Sequence, residues 1–175
     1  MFKFLFIIIG MLFLNILFAN AQTAVDYLRN GNDSYNQGNL DQAIYEYTKA
    51  IDANPNLAKA YDNRGVAYAE EGSQSRAIAD FTMAIASNSS DAEAYNNRGH
   101  AYAQKGDLIQ AIADYSRAIR FNHVYAKAYN NRQLAYYKLG EYDKAWADVH
   151  QVEEIGGTID PNFIDELRKA SGKNQ

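Results

Sequence analysis

Along most of this chain, small and apolar residues return at helical spacing in blocks of about a dozen, and the blocks themselves return every 34 residues. Ala58 to Gly72 reads AKAYDNRGVAYAEEG, Ala92 to Gly106 reads AEAYNNRGHAYAQKG, and Ala126 to Gly140 reads AKAYNNRQLAYYKLG. With Ala24 as position 1, the units run 24–57, 58–91, 92–125 and 126–159. Position 4 is tyrosine throughout (Tyr27, Tyr61, Tyr95, Tyr129), position 8 is glycine in three units (Gly31, Gly65, Gly99), and position 11 is tyrosine in three (Tyr68, Tyr102, Tyr136). At about 100° per residue these positions share one face of a first helix, which is predicted to be core. Gly38, Gly72, Gly106 and Gly140 at position 15 can adopt the left-handed conformation that closes a helix. A second helix follows, with alanine at positions 20 and 27 (Ala43 and Ala50 in the first unit) and an aromatic ring at position 24 (Tyr47, Phe81, Tyr115). The small residues let the two helices approach while the ring fills the space beside them.

A two-helix unit of this size cannot bury its apolar face alone, so consecutive units must stack into an all-α solenoid. The recurring positions, taken together, resemble the tetratricopeptide repeat family over nearly all of the chain after residue 21. That resemblance implies four helix-turn-helix repeats in a right-handed superhelix of antiparallel helix pairs, with the first helices lining a concave groove that holds a protein or peptide. Some positions depart from the family pattern. Ser89 and His123 stand where Pro55 stands in the first unit, and Gln133, Val149 and Val152 replace the usual glycine, aromatic and alanine of the fourth. Terminal repeats are commonly atypical because one side lacks a neighbour. After Gly156-Gly157, Asp160-Pro161 reads as a helix start, and Phe163, Ile164 and Leu167 form an apolar stripe, so residues 160–175 are expected to be a C-terminal capping helix and tail. At the other end, Thr23 and Asp26 have capping-box spacing, which places a helix start just after residue 21.

Residues 1–21 read as a signal peptide: Lys3, then an apolar run from Phe4 to Phe18 broken by Gly10 and Asn15, then Ala19-Asn20-Ala21 as the cleavage site. An exported product, periplasmic or secreted, follows, with an uncleaved membrane tether as the alternative; the run is shorter than the roughly 20 residues a spanning helix needs. There is no cysteine, so the fold must hold by packing rather than by disulfides. The formal charge of −4 becomes −5 without Lys3, which argues against a nucleic-acid grip.

Positions 2, 6, 9 and 13 cluster opposite the core arc, and in this fold they face the groove. Candidate groove residues are therefore Asn32, Lys59, Asn63, Asn97, His100, Lys127 and Asn131, with Tyr137 at position 12 as a flanking ring. Asn63, Asn97 and Asn131 recur at position 6 and resemble the asparagine ladder with which some family members hold an extended peptide. An amide side chain offers donor and acceptor together, so it can pair with a backbone regardless of its side chains. The alternative is that these asparagines simply face solvent.

The carboxylate clamp of chaperone adaptors in the family is not matched. Asn32 and Asn63 fit it, but Leu28, Glu93 and Asn97 stand in place of its three basic residues, and starting one unit later puts Asp62 and Val66 in its first two positions and Asn131 in place of its arginine. Arg64, Arg98 and Arg132 at position 7 coincide with Asp80, Asp114 and Asp148 at position 23, which suggests ion pairs between helices, or else separately solvated charges. His100, His123 and His150 lack metal-ligand spacing, and no catalytic motif, phosphate loop or cofactor signature occurs. The expected function is a non-enzymatic scaffold or adaptor with a protein or peptide partner. Self-association into a homo-oligomer is the alternative.

Overall fold

The computed structural model describes residues 21–173, and every regular element among them is helical. α1 covers residues 21–36, and α2 (Leu40–Ala53), α3 (Ala58–Glu70), α4 (Gln74–Ser87), α5 (Ala92–Gln104), α6 (Leu108–Phe121), α7 (Ala126–Lys138), α8 (Tyr142–Glu154) and α9 (Pro161–Ser171) follow. Odd-numbered helices through α7 are the first helices of the four units, and even-numbered ones are the second. Each packs on its neighbours in sequence, and α3 with α5 and α5 with α7 also touch, as stacking requires. The expected signal segment lies outside the described residues except for Ala21, which is already helical. Thr23 is inside α1 and does not begin it, so the predicted capping box is corrected. At the far end, Asp160 caps α9 by accepting from the Asn162 backbone N–H, with Pro161 in the first turn.

Between the helices of each unit, Gly38, Gly72, Gly106 and Gly140 take φ of 77°, 86°, 84° and 76°. This conformation lets the chain reverse within three residues at no Cβ cost.

The core is one long cluster, running from Ala50 and Tyr61 through Ile85 and Tyr95 to Ala118 and Ala128, flanked by smaller clusters built on the position-24 rings. Phe81 (1% exposed) lies between its own unit's Gly65 and the next unit's Ala101, and Tyr47 and Tyr115 repeat this between Gly31 and Ala67 and between Gly99 and Ala135. A Cβ on Gly65 would sit 2.7 Å from the Phe81 ring, so position 8 is glycine because the position-24 aromatic occupies its space. The fourth unit exchanges both partners at once: buried Gln133 replaces the glycine and Val149 replaces the ring. The predicted core arc needs one correction. Tyr68, Tyr102 and Tyr136 at position 11 are only half-buried, and the fully enclosed residue on that side is alanine at position 10 (Ala67, Ala101, Ala135). Position 10 meets the second helix of the preceding unit, a contact that the periodicity of one helix does not reveal.

α9 closes the open end of the stack. Phe163 and Leu167 join Ala145, Trp146 and Val149 in a buried cluster, and the Trp146 Nε1–H donates to Ser171 Oγ at 3.1 Å. In the 34-residue register Phe163 falls at position 4 and Leu167 at position 8, so α9 behaves as the first helix of an unfinished fifth unit.

Candidate peptide-binding groove

Two adjoining cavities run along the first helices and share Val66 in their walls. One of about 370 Å³ lies between α1 and α3, lined by Asn32, Tyr35, Tyr47, Lys59, Asp62, Asn63 and Glu93 among others. The second, about 460 Å³, lies over α3, α5 and α7, where Asn96, Asn97, His100, Lys127, Asn131 and Glu70 face it. Seven predicted groove residues are thus brought together: Asn32, Lys59 and Asn63 in the first cavity, and Asn97, His100, Lys127 and Asn131 in the second. Tyr137 is not among them. Its ring meets Phe163 edge-on at 5.6 Å and Tyr142 at 5.8 Å, so it belongs to the packing under α9, and its assignment to the groove is corrected.

The position-6 asparagines are held by the unit before them. Asn63 Nδ2 donates to Asn32 Oδ1 at 2.6 Å, Asn97 Nδ2 to Asp62 Oδ1 at 3.3 Å, and Asn131 Nδ2 to Asn96 Oδ1 at 2.9 Å. These bonds orient each amide, and for Asn97 and Asn131 they leave a carbonyl oxygen and a second N–H. The acceptors at position 5, Asp62 (4% exposed) and Asn96 (1% exposed), were not singled out by sequence reasoning. A polar residue between two core positions was their only signal.

The charges differ between the two cavities. Lys59 Nζ lies 3.2 Å from Asp62 Oδ2 and 3.6 Å from Glu93 Oε2. Burial pushes the Asp62 carboxyl above its usual range, with Lys59 opposing. Desolvation works against the Lys59 ammonium, but the two carboxylates hold it above its usual range. Tyr35, also missed in the sequence, donates its hydroxyl to Glu70 across the groove, and burial followed by that carboxylate pushes its pKa to about 12. In the second cavity, desolvation and the positive charges of Lys127 and Lys138 hold the His100 imidazole below its usual value.

Beneath the groove, the arginine–aspartate coincidence resolves into built ion pairs. Arg64 Nε and Nη2 grip Asp80 at 2.7 and 2.8 Å, and its Nη1 reaches Thr48 Oγ1 of the preceding unit at 2.9 Å. Arg98 does the same with Asp114 and Thr82, and Arg132 with Asp148 and Ser116. Each guanidinium therefore ties three helices from two units, and the alternative of separately solvated charges is set aside. The first unit, with Asn30 and Glu46 at these positions, has no such pair. This lattice fixes the spacing of the first helices and hence of the groove. Among the described residues, no cluster of histidines and carboxylates is arranged to hold a metal, and no helix is long and apolar enough to cross a membrane.

A family model described as TPR repeat matches residues 31–72, 67–106 and 99–140. Similar solved structures include a MamA protein (29% identity, TM-score 0.76, covering 86% of this chain and 84% of that one). The first TPR of Spaghetti (RPAP3) bound to the HSP90 peptide SRMEEVD is also similar (32% identity, TM-score 0.67, 68% and 94% covered). So is the first TPR domain of the human RPAP3 protein (30% identity, TM-score 0.67, 69% and 95% covered). With the repeat model spanning most of the described residues and this level of identity to solved repeat domains, the chain belongs to the tetratricopeptide repeat family.

Proposed function

We propose that this protein is a non-enzymatic scaffold or adaptor that holds an extended peptide or protein segment along the concave face of its first helices. The observation that carries the reading is the row of Asn63, Asn97 and Asn131, each oriented by a side chain of the preceding unit and each lining one of two adjoining cavities. First helices about 10 Å apart match roughly three extended residues per step, so a backbone passing along the groove meets one amide per step. Each neutral bond contributes about 0.5–1.5 kcal/mol, which favours a modest and sequence-tolerant affinity. The similar RPAP3 domain bound to an HSP90 peptide supports a peptide as occupant. The apolar run from Phe4 to Phe18 with its Ala19-Asn20-Ala21 end supports action after export, in a periplasm or outside the cell.

The test is affinity capture from an extract of the exported compartment, comparing the native chain with a form carrying Asn63→Ala, Asn97→Ala and Asn131→Ala that retains a cooperative thermal transition. A partner lost only from the triple variant supports the groove. A partner retained by both refutes it.

A further inference from the structure

One register position separates the two cavities. Lys59 has Asp62 three residues on and Glu93 one unit on, and it contacts both. Lys127 occupies the same position in the fourth unit, where the corresponding residues are Asn130 and Pro161, and neither is acidic. Asn130 is committed elsewhere, donating to the Thr158 carbonyl at 3.0 Å and accepting from Gln133 Nε2 at 3.0 Å. The cavity that Lys127 lines also contains a buried donor without a partner. Asn96 is 1% exposed, its Oδ1 accepts from Asn131, and its Nδ2 has no hydrogen-bond partner. A buried N–H left unmade is costly, and its presence in a cavity wall marks a place where an acceptor is expected.

We infer that this cavity seats the side-chain carboxylate of an aspartate or glutamate in an extended peptide, with Asn96 Nδ2 donating from the floor and Lys127 supplying the charge. The inference rests on the groove reading and names the chemistry of its occupant. The two cavities share Val66 in their walls, so a segment extended along both first-helix surfaces would carry the acid within it, and the proposal commits to an internal side chain. The one carboxylate in this cavity's wall, Glu70, takes the Tyr35 hydroxyl on the side of the first cavity. Lys138 adds a second positive charge near His100, and it too forms no ion pair among the described residues. Charge complementarity selects the acid. A neutral amide would satisfy Asn96 but would leave Lys127 and Lys138 uncompensated.

A random library of displayed 12-residue peptides selected on the full chain tests this. The expected result is enrichment of Asp or Glu at one aligned internal position. Selection on Lys127→Glu/Lys138→Glu should still yield peptides, without that enrichment. With one selected acidic peptide, the Asn96 side-chain amide resonance and the His100 imidazole titration should both move, the latter upward in pH. Replacing its acid with the matching amide should abolish both changes.

Asn96→Asp keeps the acceptor for Asn131, and Asp62 already shows that this position tolerates a carboxylate; the substitution should weaken the acidic peptide about tenfold or more. Peptides selected without acidic enrichment overturn the subsite and leave the groove standing. Peptides whose binding is indifferent to the Asn63, Asn97 and Asn131 substitutions overturn the groove reading itself.

Discussion

Removing the Arg98–Asp114 pair is a stringent test of how this solenoid is held together. The side chain of Asp114 is 3% exposed and that of Arg98 12%, with two charge-assisted bonds at 2.7 and 2.9 Å and a third from Arg98 to Thr82 at 3.1 Å. Arg98→Ala leaves a buried carboxylate whose remaining cation is the half-exposed Arg117, 3.4 Å away. Breaking a buried pair from one side costs about 3–5 kcal/mol; Arg117 and admitted water reduce that to about 2–4 here. Asp114→Ala should cost a similar amount, and the double variant should be little worse than either, giving a coupling of about 2 kcal/mol.

The assay is urea denaturation of the four forms, followed by far-UV circular dichroism and by fluorescence of the single tryptophan, Trp146. Trp146 lies in the fourth unit, so agreement between the two probes establishes whether the stack unfolds as one. A coupling below about 0.5 kcal/mol, or one that vanishes in molar salt, would refute the argument and return the pair to the class of exposed ion pairs.

Further outcomes follow from the same contacts. Gly99→Ala places a Cβ 2.8 Å from Tyr115 and 3.1 Å from the Ala111 carbonyl, so it should lower stability by about 1–3 kcal/mol in spite of alanine's better helix propensity. Adding Tyr115→Val should restore part of the loss, as the natural Gln133 and Val149 combination suggests. The raised pKa of buried Asp62 means that its contribution is fully present below about pH 4, where the unfolded group is also protonated, and is lost as pH rises through the folded value. Asp62→Asn should therefore gain on the native chain between pH 4 and pH 7 in parallel denaturation series, and the opposite trend would contradict the burial argument. Leu167→Ala, at a fully buried site under α9, should cost about 2–5 kcal/mol and shift Trp146 emission to the red.

Much of this architecture was legible before any coordinates. The 34-residue register and its helix pairs show through recurrence of the same positions, and the glycine turns and the helix begun by Asp160-Pro161 depend on interactions within one turn or one helix. Such interactions are encoded by residues close in the chain. The asparagine row was also legible, because a periodic surface position repeats visibly.

What only the tertiary structure decided is whatever one unit does to the next. The burial of Asp62 and Asn96, the enclosure of alanine at position 10 in preference to tyrosine at position 11, and the reach of Arg64, Arg98 and Arg132 to the preceding unit all depend on a neighbouring helix covering a surface that would be wet in isolation. Tyr137 shows the same limit, since its position-12 counterpart Tyr35 faces the groove while α9 claims its own ring. A repeat announces itself in one dimension, but the partners of its polar residues are set across the stack, at sequence separations that no local pattern records.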